Sequence, residues 1–282
     1  MQFYKIKSYA KINLSLMVLG KLKSNLHKIE SLISFINLHD QILIKKINDT
    51  KHVVKYTGKF SKNISKNNTI INLLKILDNN NKLQNKKYLI KVNKNIPQKS
   101  GMGGGSMNAA SVLKYLLNKE KLKLNSKEIL QITSKIGSDV IIGMKKKLLI
   151  FYGDGELKIV NNKINFFTVL LKPNFGCSTK SIYKNVRYFS KPFFKKNKIS
   201  NLNKKFLINL KNDLEAPAFK RYSKLQKIKI FMEKLDNILF ARMTGSGSAM
   251  VGYFTSKKSA LNALKILKKK YKNCWCILSK TI

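Results

Sequence analysis

Acidic residues are scarce. The 282-residue chain has 13 Asp and Glu against 57 Lys and Arg, a formal net charge of +44. Arginine is scarcer still, with only Arg187, Arg221 and Arg242; every other basic residue is lysine. Proteins that read base edges depend on the bidentate arginine fork. Lysine here crowds every segment alike, as in Lys145-Lys146-Lys147 and Lys268-Lys269-Lys270. The charge therefore reads as compositional drift, and no specific nucleic-acid partner is expected. Long apolar runs are missing too: nothing approaches the roughly 18 residues that span a bilayer, so no membrane partner is expected. With 4 Pro and 14 Gly, collagen-like and low-complexity readings fall.

Cysteine is limited to Cys177, Cys274 and Cys276, too few and too irregular for a disulfide framework. Cys274-Trp275-Cys276 alternates as a strand does and has no second thiol pair or histidine nearby. It makes a poor zinc site, and no residue is assigned as a metal ligand. Strand-like alternation begins almost at the start, with no signal-peptide pattern, so the expected location is cytoplasmic.

Apolar residues make up 44% and aromatics 10% of the chain, enough to build a core. Among so few acids, each carboxylate needs a reason; a lysine needs none.

Residues 3–19 alternate as one strand, with Lys11, Asn13 and Ser15 on one face and Ile12, Leu14 and Leu16 on the other. Residues 26–35 carry apolar side chains at mixed spacing, and 41–47 read as a strand. Helical spacing recurs over 69–77, 106–117 and 126–136, the last with Ser126 as expected cap. Strands are expected at 88–96 and 148–152. Beyond 166 the pattern restarts: strands at 167–172, 249–254 and 274–278, helices around 205–210 and 224–235, and a helix with Ala260, Leu261, Leu264 and Leu267 inward. Strands and helices mix without βαβ repetition, which predicts α+β with two lobes, 1–160 and 161–282.

The strongest local signal lies between a strand and a helix: Pro97, Gln98, Lys99, Ser100, Gly101, Met102, Gly103, Gly104, Gly105, Ser106 and Met107, followed by Asn108-Ala109-Ala110. Glycines let successive N–H groups line a concave nest, and the following helix adds its positive end, so the run suits a phosphate group. It is neither a P-loop, lacking Gly-Lys-Ser/Thr, nor a dinucleotide fingerprint, with Ser106 where the third glycine would fall.

This loop resembles the nucleotide-binding motif of the GHMP kinases, the superfamily of galactokinase, homoserine kinase and mevalonate kinase. Two further motifs of that superfamily occur in the expected order, Ala10-Lys11-Ile12-Asn13-Leu14 and Arg242-Met243-Thr244-Gly245-Ser246-Gly247-Ser248-Ala249. The resemblance spans essentially the whole chain. It implies a two-lobed fold, an N-terminal ATP-binding lobe and a C-terminal ferredoxin-like lobe. It also implies ATP with Mg2+ as cofactor, a small-molecule acceptor, and a monomer or homodimer.

Gly137-Ser138-Asp139-Val140 and Asn212-Asp213-Leu214-Glu215 point to the branch that phosphorylates the 2-hydroxyl of a cytidine-diphosphate-linked methylerythritol, in the non-mevalonate route to isoprenoids. The resemblance then gives residues roles. Asp139 is the base that takes the hydroxyl proton, and Lys11 pairs with it and polarises the attacking oxygen. Asn13 contacts substrate, His27 contacts the cytosine edge, Tyr183 lines the base pocket, and Thr179 lies beside it. Several positions depart from the family pattern: Leu26 where an aromatic usually stacks on the base, Lys99 and Ser100 where glycines stand, Met107 in place of a serine, and Ile141 in place of a proline.

Two other readings draw on the same residues. One is a GHMP kinase with a homoserine- or mevalonate-type acceptor, which cytidine nucleotides would not inhibit. The other is a basic nucleic-acid-binding protein sharing the fold, which would show salt-sensitive duplex affinity.

Overall fold

The computed structural model describes residues 2–22, 27–153, 155–162, 164–194 and 202–282. Leu26 lies outside them. The elements run β1 (Tyr4–Asn13), β2 (Met17–Lys21), β3 (His27–Ile47), β4 (Val53–Thr57), α1 (Thr69–Asn79), β5 (Lys87–Asn93) and α2 (Gly104–Asn118). Next come α3 (Ser126–Ile136), α4 (Val140–Gly143), β6 (Leu149–Tyr152), β7 (Leu157–Ile159), β8 (Phe167–Lys172) and α5 (Thr179–Lys184). The chain ends with α6 (Lys204–Asn209), α7 (Glu215–Arg221), α8 (Ser223–Glu233), β9 (Phe240–Met243), β10 (Met250–Phe254), α9 (Lys257–Lys270) and β11 (Trp275–Lys280). The class is α+β.

Two compact units form. One comprises Met1–Ala10, Leu38–Gln98 and Gly103–Lys146; the other Lys11–Asn37, Lys99–Met102 and Lys147–Ile282. The sequence placed one boundary at residue 160, whereas these units interleave, because β1 and β3 each supply residues to both.

In the first unit, β5 lies between parallel β4 and the antiparallel later half of β3. α1 and α2 cover this sheet, burying Ile70, Leu73, Leu74, Leu77, Val112, Leu113 and Leu116 against Ile42, Ile44, Ile90 and Val92. Asn68 Oδ1 starts α1 by accepting the N–H groups of Ile70 and Ile71. In α3 the cap is Asn125, not Ser126. Asn125 and Glu128 exchange side-chain-to-backbone bonds in a capping box, which leaves Ser126 as the first helical residue.

In the second unit, the early half of β3 pairs with β2 and β6, and β6 with β7. The mixed spacing of residues 26–35 is explained here. From Glu30 to Ile36 every residue is buried, so the strand carries no alternation. The strand expected over 3–19 is broken between Asn13 and Met17. There Leu14 and Ser15 both donate their N–H groups to the single carbonyl of Leu32, at 2.8 and 3.3 Å.

A second, four-stranded antiparallel sheet has the order β11-β8-β10-β9. Counted along the lobe this is 4-1-3-2 with helices after the first and third strands, the ferredoxin-like arrangement. α8 and α9 pack Leu225, Ile228, Met232, Ala260, Ala263 and Leu267 on it. Leu261 is exposed instead of inward, since 100° per residue turns it away from the stripe through Ala260, Leu264 and Leu267. Cys177 is buried in this core, with Cys274 and Cys276 packed against it.

Candidate functional site

In the second unit, the end of β1 meets the turn that follows β9. Lys11 and Asn13 are both buried, and Lys11 Nζ donates to Asn13 Oδ1 at 2.8 Å. Asn13 Nδ2 donates to Ser31 Oγ at 2.8 Å. The Asn13 N–H donates to Thr244 Oγ1 at 3.1 Å, and that hydroxyl lies 3.2 Å from Asn13 Oδ1. The Lys11 ammonium and the Asn13 side chain and N–H are thus aimed by neighbours.

The 243–249 turn is itself gripped. Asn212 Nδ2 donates to the Met243 and Gly245 carbonyls at 2.7 and 2.8 Å, and the Glu215 carboxylate accepts the Met243 N–H at 2.8 Å. Buried Arg242 donates to the carbonyls of Leu14, Leu207, Ile208 and Leu210 and lies over the Phe240 ring. No lysine fork could span those carbonyls, which accounts for an arginine surviving there in a lysine-rich chain.

Residues 99–102 belong to the same unit. Lys99 and Ser100 offer their carbonyls to the N–H groups of Ser248 and Ala249, and Lys11 donates its N–H to the Met102 carbonyl. Lys99 sits at φ +48°, left-handed backbone that glycine adopts more easily. Its Cβ is accommodated because Gly176 faces it; a Cβ there would come within 2.4 Å. Gly101, at φ +77°, approaches the Thr244 carbonyl so closely that a Cβ would lie 1.9 Å from it. The two departures from the family pattern, Lys99 and Ser100, leave this stretch pinned to the 243–249 turn rather than loose.

Farther along, Thr179 Oγ1 and Ser246 Oγ are 2.8 Å apart, so Thr179 braces the same turn. His27 and Tyr183 face each other with ring centroids 5.0 Å apart. Among the described residues the buried His27 Nε2 has no hydrogen-bond partner. Burial and the nearby Lys21 charge lower the His27 pKa, favouring the neutral ring with one donor and one acceptor nitrogen. That is the chemistry needed to read a base edge.

In the first unit the loop continues from Gly103 into α2. Gly103, at φ +68°, is the residue before the helix and, having no side chain, gives α2 no side-chain cap of the kind that starts α1, α3 and α9. Its first turn also holds no acid. The helix dipole and its leading N–H groups are left for an anion. Gly104 is crowded: a Cβ would meet Ile96 at 3.0 Å and Lys94 Nζ at 3.2 Å. Gln98 is occupied elsewhere, donating to the Phe60 and Lys62 carbonyls. Met107 is buried, and a Cβ added at Gly143 would lie 3.2 Å from its sulfur. Its N–H makes the first i→i−4 bond of α2, to the Gly103 carbonyl, and its side chain lies against Gly143. Asp139 precedes α4 half-buried and does not cap it, so helix capping does not explain this acid.

Residues 68–146 match the GHMP kinases N terminal domain and residues 190–273 match GHMP kinases C terminal. The chain is 54% identical over 282 residues, all of both chains, to 4-diphosphocytidyl-2-C-methyl-D-erythritol kinase of Pelagibacter ubique (strain HTCC1062). The chain belongs to this family of GHMP kinases. The same enzyme of Clostridioides difficile (strain 630) is 33% identical, with 99% of this chain and 96% of the relative covered.

Among solved structures, a crystal structure of 4-(cytidine 5'-diphospho)-2C-methyl-D-erythritol kinase superposes with TM-score 0.79 at 22% identity, covering 99% of this chain and 100% of that one. Homoserine kinase from Cytophaga hutchinsonii gives 0.70 at 13% identity, over 99% and 94%. These last two likenesses concern the fold. As a member of the family the protein is an ATP-dependent kinase.

Thr244, Ser31 and Ser246 belong to the cluster but were not singled out from sequence. Thr244 and Ser246 lay inside a quoted motif, and Asn212 inside another; Ser31 carried no signal among the chain's many polar residues.

Proposed function

We propose that the protein transfers the γ-phosphoryl group of ATP to the 2-hydroxyl of 4-diphosphocytidyl-2-C-methyl-D-erythritol. The full-length 54% identity to the Pelagibacter enzyme carries this reading. His27 Nε2, buried and without a hydrogen-bond partner among the described residues, on a ring 5.0 Å from that of Tyr183, supports a cytosine edge as the feature recognised.

In this reading the triphosphate lies along Gly101–Ser106, where α2 is uncapped and free of acid. Asp139 accepts the proton of the 2-hydroxyl as its oxygen attacks the γ-phosphorus. The bond from that phosphorus to the β,γ-bridging oxygen breaks, and ADP leaves. Lys11, oriented by Asn13, balances charge at the attacking oxygen. Asn13 is fixed by Ser31 and Thr244, so its contribution is position as well as contact.

The family implies Mg2+. Among the described residues no three His, Cys, Asp or Glu side chains cluster as a metal site. If magnesium binds, phosphate oxygens would carry most of it, and Ser106 is the loop residue that would offer a hydroxyl. When bound, the ion neutralises β- and γ-phosphate charge.

Cytidine nucleotides should inhibit competitively against the acceptor and not against ATP, while homoserine and mevalonate give no turnover. Turnover of either, without cytidine inhibition, would replace this acceptor with another.

A further inference from the structure

With 13 acids in the chain, a fully buried carboxylate that no catalytic role absorbs is conspicuous. Asp40, on β3 in the first unit, is completely inaccessible. Four donors converge on it. Its Oδ1 accepts the N–H groups of Asn95 and Ile96 at 2.7 and 2.8 Å. Its Oδ2 accepts Asn108 Nδ2 at 3.0 Å and pairs with the buried Lys94 ammonium.

These donors occupy two places in the chain. Lys94, Asn95 and Ile96 follow directly on β5 and lead into the glycine loop. Asn108 stands on the second turn of α2, just past the loop's other end. One carboxylate therefore ties the entry of the loop to its exit. The same groups set its interior, since Ile96 and Lys94 Nζ are the atoms that crowd Gly104. Tyr56, half-buried near the Asp40 charge, has its pKa raised by desolvation and by that charge, so it stays a neutral phenol.

We infer that Asp40 is a positioning residue for the phosphate loop: it fixes the spacing between the β5 end and the α2 start, and thereby the affinity for the nucleotide's phosphates. The inference rests on the reading of that loop as the triphosphate site.

A purely architectural carboxylate would, when altered, weaken both substrates together or only lower the melting temperature. A positioning role separates them. Asp40→Asn turns an acceptor into an amide facing Lys94 and Asn108; Asn108→Ala removes only the tie to α2. Each should raise KM for ATP and weaken ADP binding, roughly tenfold or more for Asp40→Asn and severalfold for Asn108→Ala. KM for the cytidyl acceptor should stay within about twofold, a change worth only a few tenths of a kcal/mol. Should Asp40→Asn fail to fold, Asn108→Ala decides alone.

Unchanged ADP affinity in the folded variants, or parallel losses for both substrates, would overturn the inference. Gly105→Asp, which sets a negative charge in the loop, is the control for the underlying reading. If it leaves ADP binding intact, the loop is not the phosphate site and both readings fall. If it abolishes binding while the Asp40 and Asn108 variants bind normally, only the inference falls.

Discussion

Thr244 Oγ1 accepts the backbone N–H of Asn13 and lies within hydrogen-bonding distance of that residue's own Oδ1, joining two motifs 231 positions apart in the chain. A valine there keeps the shape and removes both bonds, leaving a buried N–H unsatisfied. Thr244→Val should cost about 1–3 kcal/mol in stability by denaturant titration. It should also lower kcat more than it raises either KM, because Asn13 and Lys11 lose their alignment. Thr244→Ser should restore most of both; if it behaves like valine, the hydroxyl is not the operative group.

Backbone conformation makes opposite predictions at two neighbouring positions. Gly101→Ala would thrust a Cβ to 1.9 Å from the Thr244 carbonyl at a φ of +77°, so the variant should express poorly or lose nucleotide binding. Lys99→Gly relieves a left-handed lysine and should stabilise by up to about 1 kcal/mol, read as a small rise in melting temperature with ATP affinity retained. A destabilised Lys99→Gly would mean the lysine side chain contributes more than its backbone costs.

Acceptor binding should weaken on acidification. The folded His27 pKa lies below the ordinary 6.5, from burial first and Lys21 second, so protonation opposes the buried ring. The unfolded chain binds that proton more readily. His27 therefore adds stability above pH 6.5 that is lost as pH falls toward the lowered value. KM for the cytidyl acceptor should rise over the same window, and KM for ATP should not. In His27→Gln that pH dependence of the acceptor KM should vanish; its persistence would assign the titration to another group.

Much of this was readable before any coordinates. The candidate loop at 97–107 stands out because glycines before a helix have few other uses, and Asp139 is a candidate because acids are rare here and the family resemblance marks it. Lys11 was not legible alone, one lysine among dozens, and needed its neighbours in a motif. Several features have no local signal, for physical reasons. The buried stretch of β3 lacks alternation, so its strand character was hidden. β4, with Val53 and Tyr56 only half-buried, is too short to establish a period. Asp40 and Arg242 act on backbone groups distant in sequence, and no local pattern reports such contacts. Met107 is grouped with the phosphate-binding run by its place beside the glycines, and no local pattern reports the Gly143 surface that its sulfur lies against.

The central claim is tested most directly by ADP release from magnesium-ATP with 4-diphosphocytidyl-2-C-methyl-D-erythritol as acceptor, run for the native protein and Asp139→Asn. General-base removal should lower kcat by about 10²–10⁴-fold with both KM values little changed. Acceptor-dependent release in the native protein that collapses in the variant is the predicted result. Undiminished release in Asp139→Asn, or none from the native protein while it still binds ATP, would contradict the account.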